Sequence, residues 1–78
     1  MFYTYILLLA NDTYYTGYTS NLKQRLHEHS EGKVAATSRY LPAELAYYAA
    51  FRTKHKALDF EKYLKTFSGF AFRNKRLI

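Results

Sequence analysis

The chain has 78 residues, no cysteine, a formal net charge of +6 and an unusual content of nine Tyr and six Phe. This length leaves room for one small hydrophobic core, so we expect residues 1–78 to form a single domain. The absence of cysteine excludes disulfides and cysteine-based zinc or redox sites. The longest aliphatic run, Ile6 to Ala10, is too short to cross a membrane and no basic region precedes it, which predicts a soluble, cytoplasmic protein.

The positive charge is concentrated in the second half of the chain. Residues 1–39 carry a net charge of +1, whereas residues 40–78 carry eight Lys and Arg against three Asp and Glu, a net charge of +5. A basic half on a small domain is typical of a protein that binds a polyanion, most often nucleic acid, because each neutralised phosphate releases counterions. A merely solvated basic surface is the alternative, and composition alone favours neither.

The chain opens with an aromatic hairpin. Residues Phe2 to Leu9 contain no breaker and predict a buried strand. Asn11 and Asp12 indicate a turn, and residues Thr13 to Thr19 predict the returning strand.

The length of the hairpin loop decides which tyrosines share a face of the sheet. A three-residue loop pairs Tyr5 with Gly17 and Leu7 with Tyr15, which puts Tyr5 and Tyr15 on one face. A two-residue turn would leave these tyrosines on opposite faces. With Gly17 opposite Tyr5, the missing side chain would open space over the Tyr5 ring.

A short amphipathic helix follows, which we expect to open near Ser20 and to stop at Gly32. One face of this helix consists of the residues at i, i+3, i+4 and i+7, which are Leu22, Arg25, Leu26 and His29. Arg25 and His29 therefore lie on the core side, where a guanidinium and an imidazole lose solvation unless nearby groups bind them.

Four more segments complete the prediction: a loop over Lys33–Leu41, a third strand over Ala43–Phe51, a second helix over about Lys54–Thr66, and a short final helix. The final helix is expected to begin at Ser68 and Gly69, where Ser68 would be its N-cap. The second helix has an apolar stripe of Ala57, Phe60, Leu64 and Phe67, and Glu61 falls inside it. The element order β-β-α-β-α-α predicts an α/β (α+β) layer, a three-stranded, mostly antiparallel sheet flanked by helices.

Three ionisable residues, Arg25, His29 and Glu61, occupy helix positions that should be apolar, near Tyr5 and Tyr15. Each alone is more often structural: a buried Arg25–Glu61 ion pair, a hydrogen-bonded core histidine, and tyrosines with hydroxyls at the rim. As a set they describe metal-dependent phosphodiester hydrolysis. A single carboxylate suits Mg²⁺, an arginine can contact two phosphate oxygens, and a histidine can move protons.

The residues also resemble a known family. Thr4-Tyr5-Ile6, Tyr15-Thr16-Gly17, Arg25, His29 and Glu61 look like the GIY-YIG nucleases, and most like small stand-alone members similar to the N-terminal nuclease domain of the bacterial excision-repair incision subunit. The tripeptides are weak signals. The spacing Tyr-x9-Tyr-x-Gly-x7-Arg-x3-His, followed by a helical glutamate, is much more specific.

The resemblance implies a one-metal endonuclease acting on DNA, with Mg²⁺ or Mn²⁺ as the ion and a link to DNA repair. It implies that Tyr5 and Tyr15 are the motif tyrosines, Arg25 the phosphate-facing arginine, Glu61 the metal ligand, and His29 a histidine seen in part of the family. Which tyrosine acts as general base stays open.

The chain departs from the family pattern at three positions. Thr4 replaces the first motif glycine and Thr16 the second isoleucine, both mild changes in conformation. Tyr18 stands where some repair-type members carry a lysine, whose role is unfilled here or falls to Lys33 or Arg39.

Five basic residues are predicted to follow a nucleic-acid backbone with little sequence preference: Lys33, Arg39, Arg73, Lys75 and Arg76. A chain without a separate recognition domain is compatible with a protein partner that supplies specificity. The alternative function is a non-catalytic nucleic-acid-binding module on a nuclease-like scaffold, and a protein-interaction domain ranks third. Zinc is not expected, because His27 and His29 lie some 200° apart on a helix.

Overall fold

The computed structural model describes residues 1–78. The elements are β1 (Phe2–Leu8), β2 (Tyr14–Thr19), α1 (Leu22–Ser30), a one-turn 3₁₀ helix (Ser38–Tyr40), β3 (Glu44–Phe51), α2 (Lys54–Leu64) and α3 (Phe67–Arg76). The strands form one antiparallel sheet in the order β2-β1-β3. The predicted α+β layer is confirmed, with β1 in the centre and β2 at a free edge.

The hairpin adopts the register of the three-residue loop. Leu9 N donates to Thr13 O at 2.8 Å, and Asp12 takes the left-handed conformation with φ 63°, which this short polar residue tolerates. Tyr5 therefore pairs with Gly17, and Leu7 pairs with Tyr15. Since side chains alternate along a strand, Tyr5 and Tyr15 share one face, which is the arrangement expected for the three-residue loop and not for the two-residue turn.

Helix α1 covers the face of the sheet that carries Tyr5. Its Leu22 and Leu26 pack against a buried cluster of Tyr5, Leu7 and Leu9. The predicted inward stripe of α1 is thus confirmed.

Helix α1 begins at Leu22, slightly later than the expected opening near Ser20. The reason is that the Asn21 side chain accepts a hydrogen bond from Gln24 N at 3.1 Å and caps the helix. At its other end Gly32 takes a left-handed φ of 74°, which closes the helix where the sequence indicated.

Helix α2 covers the opposite face. Thr4 Oγ1 donates a hydrogen bond of 2.6 Å to the carbonyl of Ala57, and both residues are completely buried. Thr4 stands at the position of a glycine in the nuclease motif that the sequence resembles, and here its hydroxyl joins the central strand to α2. The sheet therefore lies between α1 and α2.

Two predictions for the C-terminal third were wrong. Thr66, not Ser68, caps α3, since its side chain accepts from Gly69 N at 3.1 Å. The chain changes direction at this cap, so α3 does not continue the helical repeat of α2. Phe67 is therefore 92% exposed and does not extend the apolar stripe. Gly69 is needed at the crossing, because a Cβ there would lie 1.7 Å from the carbonyl oxygen of Tyr63.

The segment predicted as a loop between α1 and β3 also contains ordered structure. Its 3₁₀ helix, Ser38–Tyr40, follows a turn in which Val34 O accepts from the backbone N–H groups of Thr37 and Ser38. Val34 and Thr37 are buried, so this segment contributes to the core. No helix of the structure is both long enough and apolar enough to cross a membrane.

Candidate active site

The centre of the site is a hydrogen bond between Tyr5 on β1 and His29 on α1. The Tyr5 hydroxyl lies 2.8 Å from His29 Nε2, and Tyr5 and His29 are 0% and 1% exposed. The imidazole on the inward face of α1 thus has the partner that its burial requires. Because both side chains are enclosed, neither can change partner without local rearrangement.

The other nitrogen of His29 contacts Thr37, which the sequence analysis did not single out. His29 Nδ1 lies 2.7 Å from Thr37 Oγ1, and Thr37 is 0% exposed. The Thr37 hydroxyl also makes a long donor contact of 3.4 Å to the Val34 carbonyl. Thr37 stands in a segment without periodicity, so nothing in the local sequence distinguishes it from an ordinary loop threonine.

Three aromatic rings pack together around this hydrogen bond. The Tyr15 ring lies 5.4 Å from the His29 ring and 6.4 Å from the Tyr5 ring, centroid to centroid, and Tyr5 and His29 are 5.6 Å apart. Gly17 makes room for the arrangement, because a Cβ at this position would lie 2.5 Å from both Cζ and Oη of Tyr5. The predicted opening over the Tyr5 ring is confirmed.

The surroundings shift the pKa values of both hydrogen-bonded groups toward their neutral forms. Burial raises the pKa of the Tyr5 phenol; nearby Arg25 opposes the rise, and Tyr15 and Glu61 add to it. Burial also lowers the pKa of His29, with a further contribution from Arg25. At neutral pH a neutral imidazole therefore faces a neutral phenol.

Arg25 lies on the inward stripe of α1, as predicted, with its side chain about one-third exposed. Its Nη1 donates a hydrogen bond of 3.1 Å to Glu28 Oε1, one turn along the helix. The guanidinium is close enough to Tyr5 to lower the pKa of that phenol. Arg25 and Glu61 do not form the buried ion pair considered as the structural alternative, because each has a partner on its own helix.

Glu61 approaches from α2. Its Oε2 accepts a hydrogen bond of 3.1 Å from Lys65 Nζ, one turn along the helix, and the two side chains form an ion pair. The Glu61 side chain is 19% exposed. The carboxylate raises the pKa of Tyr5, so it lies within electrostatic range of that hydroxyl, although it makes no hydrogen bond to the tyrosines or to His29. Lys65 is a second residue of this region that the sequence analysis did not identify.

The side chains of the site fit a divalent ion that keeps most of its water ligands better than an ion coordinated by protein groups alone. No group of three or more His, Cys, Asp or Glu residues that could hold a metal occurs in the structure. His27 pairs with Glu31, with its own side chain 69% exposed. Glu61 offers one partly accessible carboxylate, which suits Mg²⁺ when water and substrate phosphate supply the other ligands.

The five predicted backbone-binding residues differ in their surroundings. Lys33 pairs with Glu31 at 3.2 Å, and Arg39 is exposed in the 3₁₀ helix. Neither makes a hydrogen bond to the Tyr5–His29 pair. Lys75 and Arg76 are exposed in the last turn of α3, whereas Arg73 is buried, at 8% exposure.

The fold and this arrangement of tyrosines define a known class of protein. The GIY-YIG catalytic domain family matches residues 1–75, and the chain belongs to that family. Proteins of this family are typically nucleases.

Similar proteins include small members named UPF0213. A UPF0213 protein from Streptococcus pyogenes serotype M5 is 47% identical over 64 residues, which cover 81% of this chain and 70% of the relative. A UPF0213 protein in the ldhD 5′ region of Pediococcus acidilactici is 43% identical over 67 residues, which cover 82% of this chain and 68% of the relative. The solution NMR structure of a UPF0213 protein from Bacillus halodurans has a TM-score of 0.60 and 29% identity, and the match covers 99% of this chain and 87% of that one.

Proposed function

We propose that the protein is a divalent-metal-dependent endonuclease that hydrolyses DNA phosphodiester bonds with low intrinsic sequence specificity. The observation that carries this proposal is the enclosed Tyr5–His29 hydrogen bond of 2.8 Å, on which Arg25 and Glu61 act electrostatically from two different helices. Family membership supports it.

The first step is activation of water by a proton relay. With its raised pKa, Tyr5 is a neutral phenol at neutral pH and cannot be a resident base on its own. We therefore assign Tyr5 O–H as the donor to Nε2 of His29. A water that reaches the enclosed phenol oxygen gives it a proton while the phenol's own proton passes to Nε2. The hydroxide produced attacks phosphorus as the bond to the leaving sugar oxygen breaks, and that oxygen takes a proton from a second water. The proton on His29 then returns through Tyr5 to the hydroxide left by the second water.

Thr37 positions this relay. If His29 Nδ1–H donates to Thr37 Oγ1, and the Thr37 hydroxyl points to the Val34 carbonyl, each contact in the series has a donor and an acceptor. In this tautomer Nε2 is free to accept the Tyr5 proton. The lowered pKa of His29 keeps the imidazole neutral, and so able to accept, at neutral pH.

Arg25 and Glu61 provide the opposite charges that the reaction needs. The Arg25 guanidinium would contact phosphate oxygens and stabilise the negative charge that builds up on them. Glu61 would hold Mg²⁺ or Mn²⁺, and a bound divalent ion supplies Lewis-acid polarisation of the phosphate. Exposed Arg39, Lys75 and Arg76 would contact the DNA backbone without reading bases.

The Glu61–Lys65 ion pair favours the second candidate function. A carboxylate already neutralised by a lysine is compatible with a nuclease-like scaffold that binds nucleic acid without cutting it. Exposed ion pairs are weak, about 0–1 kcal/mol, so a divalent ion can compete with Lys65 for the carboxylate. The nuclease therefore needs Glu61 for cleavage, whereas the binding module does not cleave DNA.

The test compares wild type with Glu61→Ala and a matched control, Asp59→Ala, in an exposed carboxylate of the same helix that pairs with His55. Nicking of supercoiled DNA is measured over a range of divalent ions, and DNA binding is measured in parallel. We expect Glu61→Ala to lose cleavage but retain binding, while Asp59→Ala keeps both. DNA binding without cleavage by wild type, under all ions and with all DNA forms, would establish the binding module instead.

A further inference from the structure

Arg73 is a buried cation without an anionic partner. Its side chain lies in α3 at 8% exposure, and no carboxylate is within ion-pair distance. Its Nε and Nη2 both donate to the neutral amide oxygen of Asn74, at 3.2 and 3.0 Å. The guanidinium also lies over the rings of Tyr14 and Phe70, 5.0 and 4.4 Å from their centroids.

These contacts offset only part of the cost of burying the charge. A guanidinium–ring contact is a weak attraction compared with an ion pair in a buried site, and an amide oxygen carries no compensating charge. Buried charges in proteins are normally paired with an opposite charge. A planar guanidinium held by stacking between aromatic rings is, however, well suited to bind a phosphate that arrives from solution.

An open cavity adjoins this guanidinium. It has a volume of about 340 Å³ and is lined by Tyr14, Tyr15, Thr16, Leu64, Lys65, Phe70 and Arg73. Both charged lining residues are cations, and no acidic residue contributes. Tyr15 lines this cavity and also packs against His29. The cavity is therefore adjacent to the candidate active site.

The cavity lies along the free edge of the sheet, on strand β2. A second cavity, of about 310 Å³, lies further along the same strand and is lined by Tyr18 and Arg25 among others. Tyr18 lies three positions after Tyr15 in the strand, a distance of about 10 Å. One strand of a duplex carries a phosphate about every 3.4 Å along the axis, so a DNA strand that follows β2 could place different phosphates in the two cavities.

We propose that the cavity at Arg73 and Lys65 is a subsite for a backbone phosphate a few nucleotides from the one that is cleaved. The inference rests on the proposed function, because it takes the cleaved phosphate to lie at Tyr5 and Arg25. The guanidinium holds the phosphate through two oxygens, and Lys65 closes the rim. The subsite sets the direction of the strand along β2 and contributes affinity but no sequence preference.

The test measures DNA binding without cleavage, in Glu61→Gln protein, so that it does not depend on turnover. Arg73→Gln is compared with Lys62→Gln, which removes the same charge from an exposed position of α2 outside the cavity. We expect Arg73→Gln to weaken binding about tenfold and to reduce the slope of log K against log salt by about 0.9 for duplex DNA. Lys62→Gln should change both much less. Equal effects of the two substitutions would overturn the subsite.

A second measurement avoids dependence on the folding of a variant in a buried residue. Oligonucleotides carrying one neutral methylphosphonate are scanned against Glu61→Gln protein, and besides the cleaved phosphate at Arg25 we expect affinity to fall at one further position a few nucleotides away. Lys65→Gln, at the half-exposed rim, should reduce the loss at that same position. A uniform small loss at every position would overturn the proposal. If wild type cleaves DNA in that case, the nuclease proposal stands without the subsite.

Discussion

The candidate site has two sides that are built differently. On the α1 side, formed by Tyr5, His29 and Thr37, all three side chains are buried and joined by hydrogen bonds of 2.7 and 2.8 Å. On the α2–α3 side, formed by Glu61, Lys65 and Arg73, the charged groups make no hydrogen bond to the α1 side.

We infer from this difference that the α1 side holds the groups for proton transfer in fixed positions, whereas the α2–α3 side binds the ion and the DNA. Proton transfer needs fixed distances between donor and acceptor, which an enclosed hydrogen-bonded series provides. A divalent ion and a DNA backbone need charges that can exchange partners, which the weak ion pair at Glu61 permits. We therefore expect substitutions on the α1 side to affect stability as well as activity, and those of Glu61 and Lys65 on the α2–α3 side to affect mainly binding and catalysis.

The largest expected loss of stability follows Gly17→Ala. The added methyl would meet the buried Tyr5 ring at 2.5 Å, and overpacking of this kind costs about 1–3 kcal/mol. Urea denaturation measures the change. In a Tyr5→Leu background the clash is removed, so the same substitution should cost at least about 0.5 kcal/mol less. An equal cost in both backgrounds would show that the Tyr5 ring is not the obstacle.

A smaller loss is expected for Thr37→Val, which keeps the shape of the side chain and removes its hydroxyl. Leaving His29 Nδ1 without its 2.7 Å partner should reduce the free energy of unfolding by about 1–2 kcal/mol. Thr37→Ser should restore most of it. Nitrogen chemical shifts of His29 should show protonation at Nδ1 in wild type and a mixture of tautomers in Thr37→Val. Protonation at Nε2 in wild type would contradict the direction assigned to the relay.

A pH dependence of stability should follow from His29. Because the folded protein lowers the pKa of this group, the unfolded chain takes up its proton first as the pH falls below about 6.5. The contribution of His29 to stability is therefore complete above that pH and is lost as the pH falls toward the folded pKa. His29→Gln should flatten this part of the profile measured by denaturation. An unchanged profile would indicate that His29 titrates as it does in the unfolded chain.

The smallest change in stability is expected for Lys65→Met. The ion pair with Glu61 is 3.1 Å long, but the lysine side chain is 55% exposed, so the free energy of unfolding should change by no more than about 0.5 kcal/mol. A loss as large as that of Thr37→Val would remove the contrast between the two sides. Thermal and urea denaturation of both variants in one buffer provide the comparison.

Local patterns in the sequence predicted the parts of the molecule that depend on local geometry. Alternation along β1 and β2, with an odd loop, placed Tyr5 and Tyr15 on one face, and the helical period placed Arg25 and His29 inward. These rules involve residues close together in the chain, where strand and helix periods apply directly.

Contacts between distant segments could not be predicted in the same way. Thr37 reaches His29 only because a segment without periodicity folds back under α1. Arg73 is buried because the chain turns at Thr66, the N-cap of α3, and the new helix returns the end of the chain to β2. The positive charge of Arg73 predicted only that this residue contacts a nucleic-acid backbone, and did not predict its burial.

The central claim is that the Tyr5 hydroxyl takes part in DNA hydrolysis, and Tyr48 offers a matched control. Tyr48 pairs with Tyr5 across the sheet but is 51% exposed and lies outside the proposed relay. Single-turnover nicking should be at least about 100-fold slower in Tyr5→Phe, with the fold intact, and close to the wild-type rate in Tyr48→Phe. Cleavage by Tyr5→Phe at the rate of wild type would contradict the account.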